Sequence, residues 1–540
     1  MGLFYCFLVP RKQLNLSCSW LAFLVLRPAQ TSHQRFSDSR NSPSLQVRRL
    51  RSDIQQTWFT HSHQALSAQT CEQEYNLQYY AIHWLNDDVL LSIFDCYRLD
   101  EKNGWNDRLG WCKLSHVCQR WRQLIYECTS YLGMHIKCTN GSPIVDTLDH
   151  LPSLPLFVDY RHIGPRITML TEQDELGIYN ALRLHGRVHH IDLKLPPSIL
   201  RKFVLLMDEQ FPILEHLSLS FSATSSKNNL PLTLPKAFLA PNLRHLTLPS
   251  INPPRRLQLL ISTVSLVTLE LSNIQTSSYF RPRLLVARLQ FLPQLKELYI
   301  GFSVPIPRPS TERELLGEQG APVTLPSLKC LWFRGVSAYL ESLVAQIRVP
   351  LLQQLGITLF NQIAFALQHL SYLIGITVLK IPSVMIGFYR NEVYVTTVPG
   401  NSKWGSFSFR VICEPLEWKI GSAAQICHAL IPALSCVEKL ILYHDSKWDP
   451  SNLTGTELRN GAVDNETWHD LLRSFIGVKE LHINNTLFAD FSRALQVDEV
   501  GLDPGFLPNL QSIHAKDNLF ASFIDTRQIV GRPVRFVSRL

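Results

Sequence analysis

The sequence predicts an α/β chain in which a short all-α module precedes a long array of alternating helices and parallel strands, and three observations carry that prediction. Apolar residues recur at helical spacing between residues 81 and 130. From about residue 150 onward one short signature, an apolar residue, two others, an apolar residue, one other and an apolar residue, returns at intervals of 23 to 33 residues. Helical stripes fill the space between several of those returns. With 540 residues, 46% of them hydrophobic and only 18% charged, the chain has the material for a core of that extent.

The division into residues 1–80, 81–130 and 131–540 follows from changes in composition. Residues 1–60 hold eight Lys and Arg against Asp38 and Asp53, so most of the net charge of +8 sits in this arm. The near-neutral remainder argues against a nucleic-acid partner. The apolar run Cys18–Leu26 is nine residues long, against the roughly 20 needed to cross a bilayer, so no membrane span is predicted. Residues 1–80 read as a poorly ordered or mis-assigned extension, with a signal-peptide core or an Arg- and Ser-rich presequence as rivals. Twelve cysteines are scattered without CxxC pairs, which reads as a reduced protein of the cytoplasm or nucleus whose cysteines serve as small buried hydrophobes. His61/His63 and His189/His190 have no Cys or carboxylate at ligand spacing, so no metal site or cofactor is expected.

In the helical module, Leu85, Val89 and Ile93 stand four residues apart, with Leu90 and Phe94 beside them, and Asn86, Asp87 and Asp88 suit the first turn of a helix. A polar loop is expected from Asp95 to Gly110. Trp111, Leu114, Cys118, Trp121 and Ile125 then continue in steps of three and four, widened by Val117 and Leu124. On spacing alone these faces form an internal core or an exposed docking surface. The order Leu85, Asp88, Leu90, Ile93-Phe94, loop, Leu114, Val117-Cys118 and Trp121, with the block "WCKLSHVCQRWRQLIYEC", resembles the F-box, especially the F-box-like proteins abundant in mushroom-forming fungi. That resemblance implies docking on a Skp-type adaptor, and through it on a cullin scaffold, by Leu85, Leu90, Ile93, Phe94, Leu114, Val117, Cys118 and Trp121. The chain departs from the usual pattern at Asn86, at Asp88 and in the length of the loop.

The repeated signature runs through Val188/Ile191/Leu193, Leu214/Leu217/Leu219, Leu243/Leu246/Leu248, Leu266/Leu269/Leu271, Leu295/Leu298/Ile300, Leu328/Leu331/Phe333 and Leu352/Leu355/Ile357. Weaker copies stand at Ile376/Leu379/Ile381, Val437/Leu440/Leu442 and Val478/Leu481/Ile483. Helical stripes appear at Ile199/Leu200/Phe203/Val204/Met207, Leu340/Leu343/Val344/Ile347 and Trp468/Leu471/Leu472/Phe475. A period matching or slightly exceeding 20–29 residues fits an irregular leucine-rich-repeat-like solenoid with a parallel inner sheet, because a single helix–strand unit cannot bury its own apolar side. Near 385–420 the repeat is interrupted: Val393/Val395 and Phe407/Phe409/Val411/Cys413 alternate on either side of Pro399-Gly400-Asn401-Ser402. This reads as a hairpin, either two edge strands or a partner-binding flap, followed by a helix through Ile426 and Leu430.

Residues between the strand leucines point to the opposite face. His190, Asp192, His216, His245, Glu270, Glu297, Tyr299, Trp332, Arg334, Lys439, Tyr443, Glu480 and His482 occupy such positions, and aromatics mixed with both charge signs suit an unknown protein target. Tyr299, Trp332 and Arg334, on neighbouring repeats, are the predicted target contacts. No nucleophile elbow, Walker loop, GxGxxG turn or HExxH helix is present, and no enzyme activity is expected. The combined expectation is a non-catalytic substrate-receptor subunit of a cullin-RING ubiquitin ligase. The rivals are a ligase-independent scaffold whose first helices only cap the array, and a secreted or membrane-tethered binding protein led by Cys18–Leu26.

Overall fold

A computed structural model describes residues 85–99, 112–128, 135–139, 154–161, 170–222, 232–253, 257–303, 322–360, 365, 367–376, 381–397, 407–413, 416–444, 465–483, 488–495, 507–515 and 520–538. The expected extension 1–80 lies outside them. The chain divides into two units, residues 1–137 with 150–154, and residues 138–149 with 155–540.

The first unit holds α1 (Asp87–Leu99), α2 (Cys112–Ser115) and α3 (Gln119–Glu127). Asn86 caps α1 through its Oδ1, which accepts from the Val89 amide at 2.9 Å, and Asp87 and Asp88 place negative charge at the positive end of the helix. The start of α1 is tied to α3 by Arg120, which pairs with Asp87 at 2.7 Å and donates to the Leu85 carbonyl at 2.5 Å. Leu90, Ile93, Phe94, Leu114, Trp121, Leu124 and Ile125 are buried, and the Phe94 and Trp121 rings meet edge to face at 4.8 Å.

One sequence reading changes here. The 111–125 stripe spans two short helices that part at the turn after Ser115, and Cys118 is the N-cap of α3, its sulfur accepting from the Trp121 amide at 3.5 Å. The expected loop from Asp95 is helical as far as Leu99, because the apolar face continues into Tyr97, which is buried.

The second unit is built on a long, mostly parallel, open sheet. Its strands are β1 (Leu156–Arg161), β2 (Val188–Leu195), β3 (His216–Phe221), β4 (His245–Thr247), β5 (Thr268–Ile274), β6 (Glu297–Phe302), β7 (Cys330–Gly335) and β8 (Gln354–Leu359). They continue with β9 (Ser383–Tyr389), β10 (Glu392–Thr397), β11 (Phe407–Ile412), β12 (Lys439–His444), β13 (Glu480–Ile483), β14 (Ser512–Ala515) and β15 (Arg535–Ser538). The strands lie in chain order except at one place, where the order runs β8–β11–β10–β9–β12. Only β10 runs antiparallel to its neighbours. The predicted hairpin is thus β10 and β11, but its expected place at an edge is corrected: with β9 it forms a three-stranded meander inside the sheet. Two reversals restore the strand direction, so β11 pairs parallel with β8 and β9 parallel with β12.

The leucine signature becomes a set of ladders. Ile191, Leu217, Leu246, Leu269, Leu298, Leu331, Leu355 and Phe407 follow one another in register, and every one is almost fully buried. A buried leucine contributes about 1.5–3 kcal/mol, so such ladders are a main source of the unit's stability. The copy at Ile376/Leu379/Ile381 is corrected, since Ile376 ends a helix and the strand begins at Ser383, burying Val384, Ile386 and Phe388 instead.

The longer helices between strands are α4 (Glu172–Arg183), α5 (Pro197–Leu205), α6 (Pro282–Leu289), α7 (Ser337–Val344), α8 (Gln368–Ile376), α9 (Leu416–Ala429), α10 (Asn465–Arg473), α11 (Phe488–Leu495) and α12 (Ala521–Ile529). Neighbours pack side by side, α6 on α7, α7 on α8, α9 on α10 and α10 on α11. The stripe Trp468, Leu471 and Leu472 is buried as its spacing predicts. One join has a specific cause: the buried Glu341 carboxylate of α7 accepts from the His369 amide at 2.8 Å and the Leu370 amide at 3.0 Å, capping the first turn of α8 from a neighbouring helix. The eight described cysteines at 96, 118, 128, 138, 330, 413, 427 and 436 are all unbridged; Cys138, Cys413 and Cys427 are buried, while Cys436 is exposed. No described helix is long and apolar enough to cross a membrane.

Candidate functional site: the polar face of the sheet

Alternation along each strand sends every second side chain away from the leucine ladders, and parallel register lines these residues up across the sheet. Phe157, His190, His216, His245 and Thr268 form one such row on β1 to β5. The Phe157 and His190 rings stack at 5.0 Å, those of His190 and His216 stack at 4.2 Å, and His216 meets His245 at 5.7 Å in a tilted pair. Burial, and next the neighbouring His216, pushes the His190 imidazole down to about 4. Burial lowers His216 as well. Beside this row the carboxylate of Asp192, buried on β2, is held by the Arg161 guanidinium of β1 through Nε at 2.7 Å and through Nη2. Sequence reading placed no metal or cofactor here. The structure nonetheless brings donor atoms of His190, Asp192 and His216 within 4.8 Å of one another.

The second row runs Asp192, Ser218, Thr247, Glu270, Tyr299, Trp332, Gly356, Ser408 and Thr396. Tyr299 and Trp332, predicted as partners, do lie side by side, their rings parallel to within 4° at 6.1 Å. Gly356 makes room for the indole, because a Cβ there would fall 2.6 Å from Trp332 Cδ2 and closer still to Cε3 and Cζ3. Burial and the nearby Glu297 push the Tyr299 phenol up to about 12, so it stays a neutral donor. Arg334 is exposed two residues along β7, its guanidinium over the Phe360 ring at 5.6 Å. Two strands on, Arg410 lies over the Tyr394 ring at 5.2 Å. An aromatic platform with Glu270 and Glu297 on one side and two arginines on the other can bind by stacking and charge.

A third grouping of Glu480, His482 and His514 sits on β13 and β14. His482 and His514 stack at 4.1 Å, His482 Nε2 meets Glu480 Oε2 at 3.2 Å, and His514 Nε2 meets Ser512 Oγ at 3.2 Å.

The predicted adaptor contacts belong to the first unit and divide in two. Leu90, Ile93, Phe94, Leu114 and Trp121 are interior, while Leu85 and Cys118 are half-buried and Val117 is 42% exposed. Val89, at 38%, is the other exposed large hydrophobic residue described in this unit. The interior five are therefore positions that hold the module together, a role their helical spacing equally allowed. The chain matches no protein-family model and no curated protein.

Proposed function

We propose that the chain is a non-catalytic substrate receptor, in which the helical unit is an F-box that docks on a Skp-type adaptor of a cullin-RING ubiquitin ligase and the second unit is a leucine-rich-repeat-like solenoid that holds a target protein on its polar face. The observation that carries the reading is the stacked Tyr299–Trp332 pair among Glu270, Glu297 and Arg334, since aromatic residues and Arg dominate the energy of protein interfaces. Chain-order strands separated by helices support the solenoid. The N-capped α1 locked to α3 by Arg120 supports a preformed docking module. Chemistry belongs to the partners: the receptor raises the effective concentration of target lysines near the ligase.

Burial reshapes the docking assignment. Leu85, Val89 and Val117 present apolar surface close in sequence to the Arg120–Asp87 pair, whereas substitutions at Leu90 or Ile93 would unfold the module. Co-expression with a Skp-type adaptor followed by affinity capture tests the reading. Val89→Asp combined with Val117→Asp should cut adaptor recovery at least tenfold with unchanged circular dichroism, and Trp332→Ala should leave it intact. No adaptor recovered with the wild-type chain, or full recovery with the double variant, refutes docking. That outcome favours the second reading, a ligase-independent scaffold, which the interior position of five of the eight resemblance residues supports.

A further inference from the structure

We propose that His190, Asp192 and His216 form a binding site for a divalent cation of the zinc class, with a fourth coordination position open to the polar face. The three residues occupy two positions on one strand, i and i+2, and the register partner of the first on the next strand. This arrangement aims three side chains at one point above a parallel sheet. Their donor atoms already lie within 4.8 Å of one another. Two imidazoles and one carboxylate are the donor set that borderline first-row ions such as zinc or cobalt take, and too rich in nitrogen for calcium or magnesium.

Three further features make this cluster fit an ion. Nε2 of His216 is buried and has no hydrogen-bond partner, which is costly for a polar atom unless something ligates it. Both Arg161 bonds go to Oδ2 of Asp192, so Oδ1 can face a cation while Arg161 orients the carboxylate from behind. The His190 and His216 rings stand parallel, 10° apart, and converge on one ion by rotation about χ2, a broad torsion in histidine.

A cavity of about 390 Å3 opens beside the cluster, lined by Arg161, Asp192, Lys194, His216, Ser218 and Thr247 among others. It supplies the fourth position, and the cations Arg161 and Lys194 at its wall favour an anionic ligand there, hydroxide or a carboxylate. The Glu480/His482/His514 group makes the natural control. It has the same donor classes, two imidazoles and one carboxylate, but its Nε2 atoms are engaged with Glu480 and Ser512.

The experiment uses the full chain, stripped with a strong chelator and titrated with zinc against a weak competing chelator. Wild type should take up about one equivalent by elemental analysis. His216→Ala and Asp192→Asn should each lose it with unchanged circular dichroism, and His482→Ala should retain it. Zinc K-edge absorption should show imidazole scattering from two rings both in the unmodified chain and in His482→Ala, which assigns the ion to His190 and His216 even where His216→Ala fails to fold. No stoichiometric zinc on the wild type, a full equivalent on His216→Ala, equal loss in His482→Ala, or an absorption spectrum without imidazole overturns the site.

Discussion

Replacing Gly356 by Ala should be destabilising in the wild-type chain and stabilising once Trp332 is gone, and that reversal of sign measures how far the aromatic platform is built on one missing side chain. A Cβ at 356 would sit 2.6 Å from Trp332 Cδ2. Carbon atoms settle at about 3.5–4.0 Å, so the indole must move by about 1 Å or more. Moving it disturbs the parallel stack with Tyr299, worth about 0.5–1.5 kcal/mol, within an overpacking cost of about 1–3 kcal/mol. Against this stands a gain of about 0.5–1 kcal/mol, because glycine weakens a strand interior relative to alanine. Gly356→Ala alone should therefore cost about 1–2 kcal/mol. In the Trp332→Ala background the obstacle is removed and the same change should gain about 0.5–1 kcal/mol. Urea unfolding of the four chains of this double-mutant cycle, followed by circular dichroism, should give a coupling energy of about 2 kcal/mol. A coupling below about 0.5 kcal/mol, or the same sign in both backgrounds, would refute the account of how Trp332 is seated.

Other substitutions separate further claims. Gly477→Ala should cost more than Gly356→Ala, because the new Cβ meets the backbone carbonyl oxygens of Ser435 and, at 3.1 Å, Val437, which cannot swing aside; equal thermal midpoints for the two variants would contradict this. Gly375→Ala, on α8 with nothing within 4 Å, should stabilise by about 0.5–1 kcal/mol in the same melts, and any loss would show that the helix has another constraint. Glu341→Ala strips the cap from α8, leaves two amides unpaired and should cost about 1–3 kcal/mol, visible as faster exchange of the His369 and Leu370 amides; unchanged exchange would dismiss the cap. Folded His190, facing His189, His216, Asp159 and Arg161, refuses a proton until about pH 4, whereas the unfolded chain takes one up near 6.5. Stability of the zinc-free chain should therefore fall as pH falls from about 6.5 to 4, and His190→Gln should flatten that slope; parallel pH profiles would rule His190 out as a cause.

What was legible in the sequence and what was not follow from the same geometry. Leucines two apart in a strand announce their own burial, so Leu217, Leu246, Leu298 and Leu331 were readable one repeat at a time, as was the Tyr299–Trp332 pair once equivalent positions of successive repeats were set side by side. Strand β1 lacks the leading leucine of the signature, β14 ends on Ala515 and β9 follows a helix where a strand copy was expected, so each escaped a search for large apolar residues at fixed offsets. The edge placement of the hairpin failed because the strand that completes the meander, β9, was unread, and only its presence makes the number of reversals even. The His190/Asp192/His216 cluster is hidden from local ligand spacing for a different reason: 26 residues separate His190 from His216 along the chain, and the parallel register abolishes that distance. A signal was present: the third position of the signature is His at 190, 216 and 245 in three successive repeats. In an array with this periodicity, equal positions in neighbouring repeats are spatial neighbours, so donor sets are read down the column of stacked repeats. The one contributor that no column could supply is Arg161, because the strand that carries it has no signature to align.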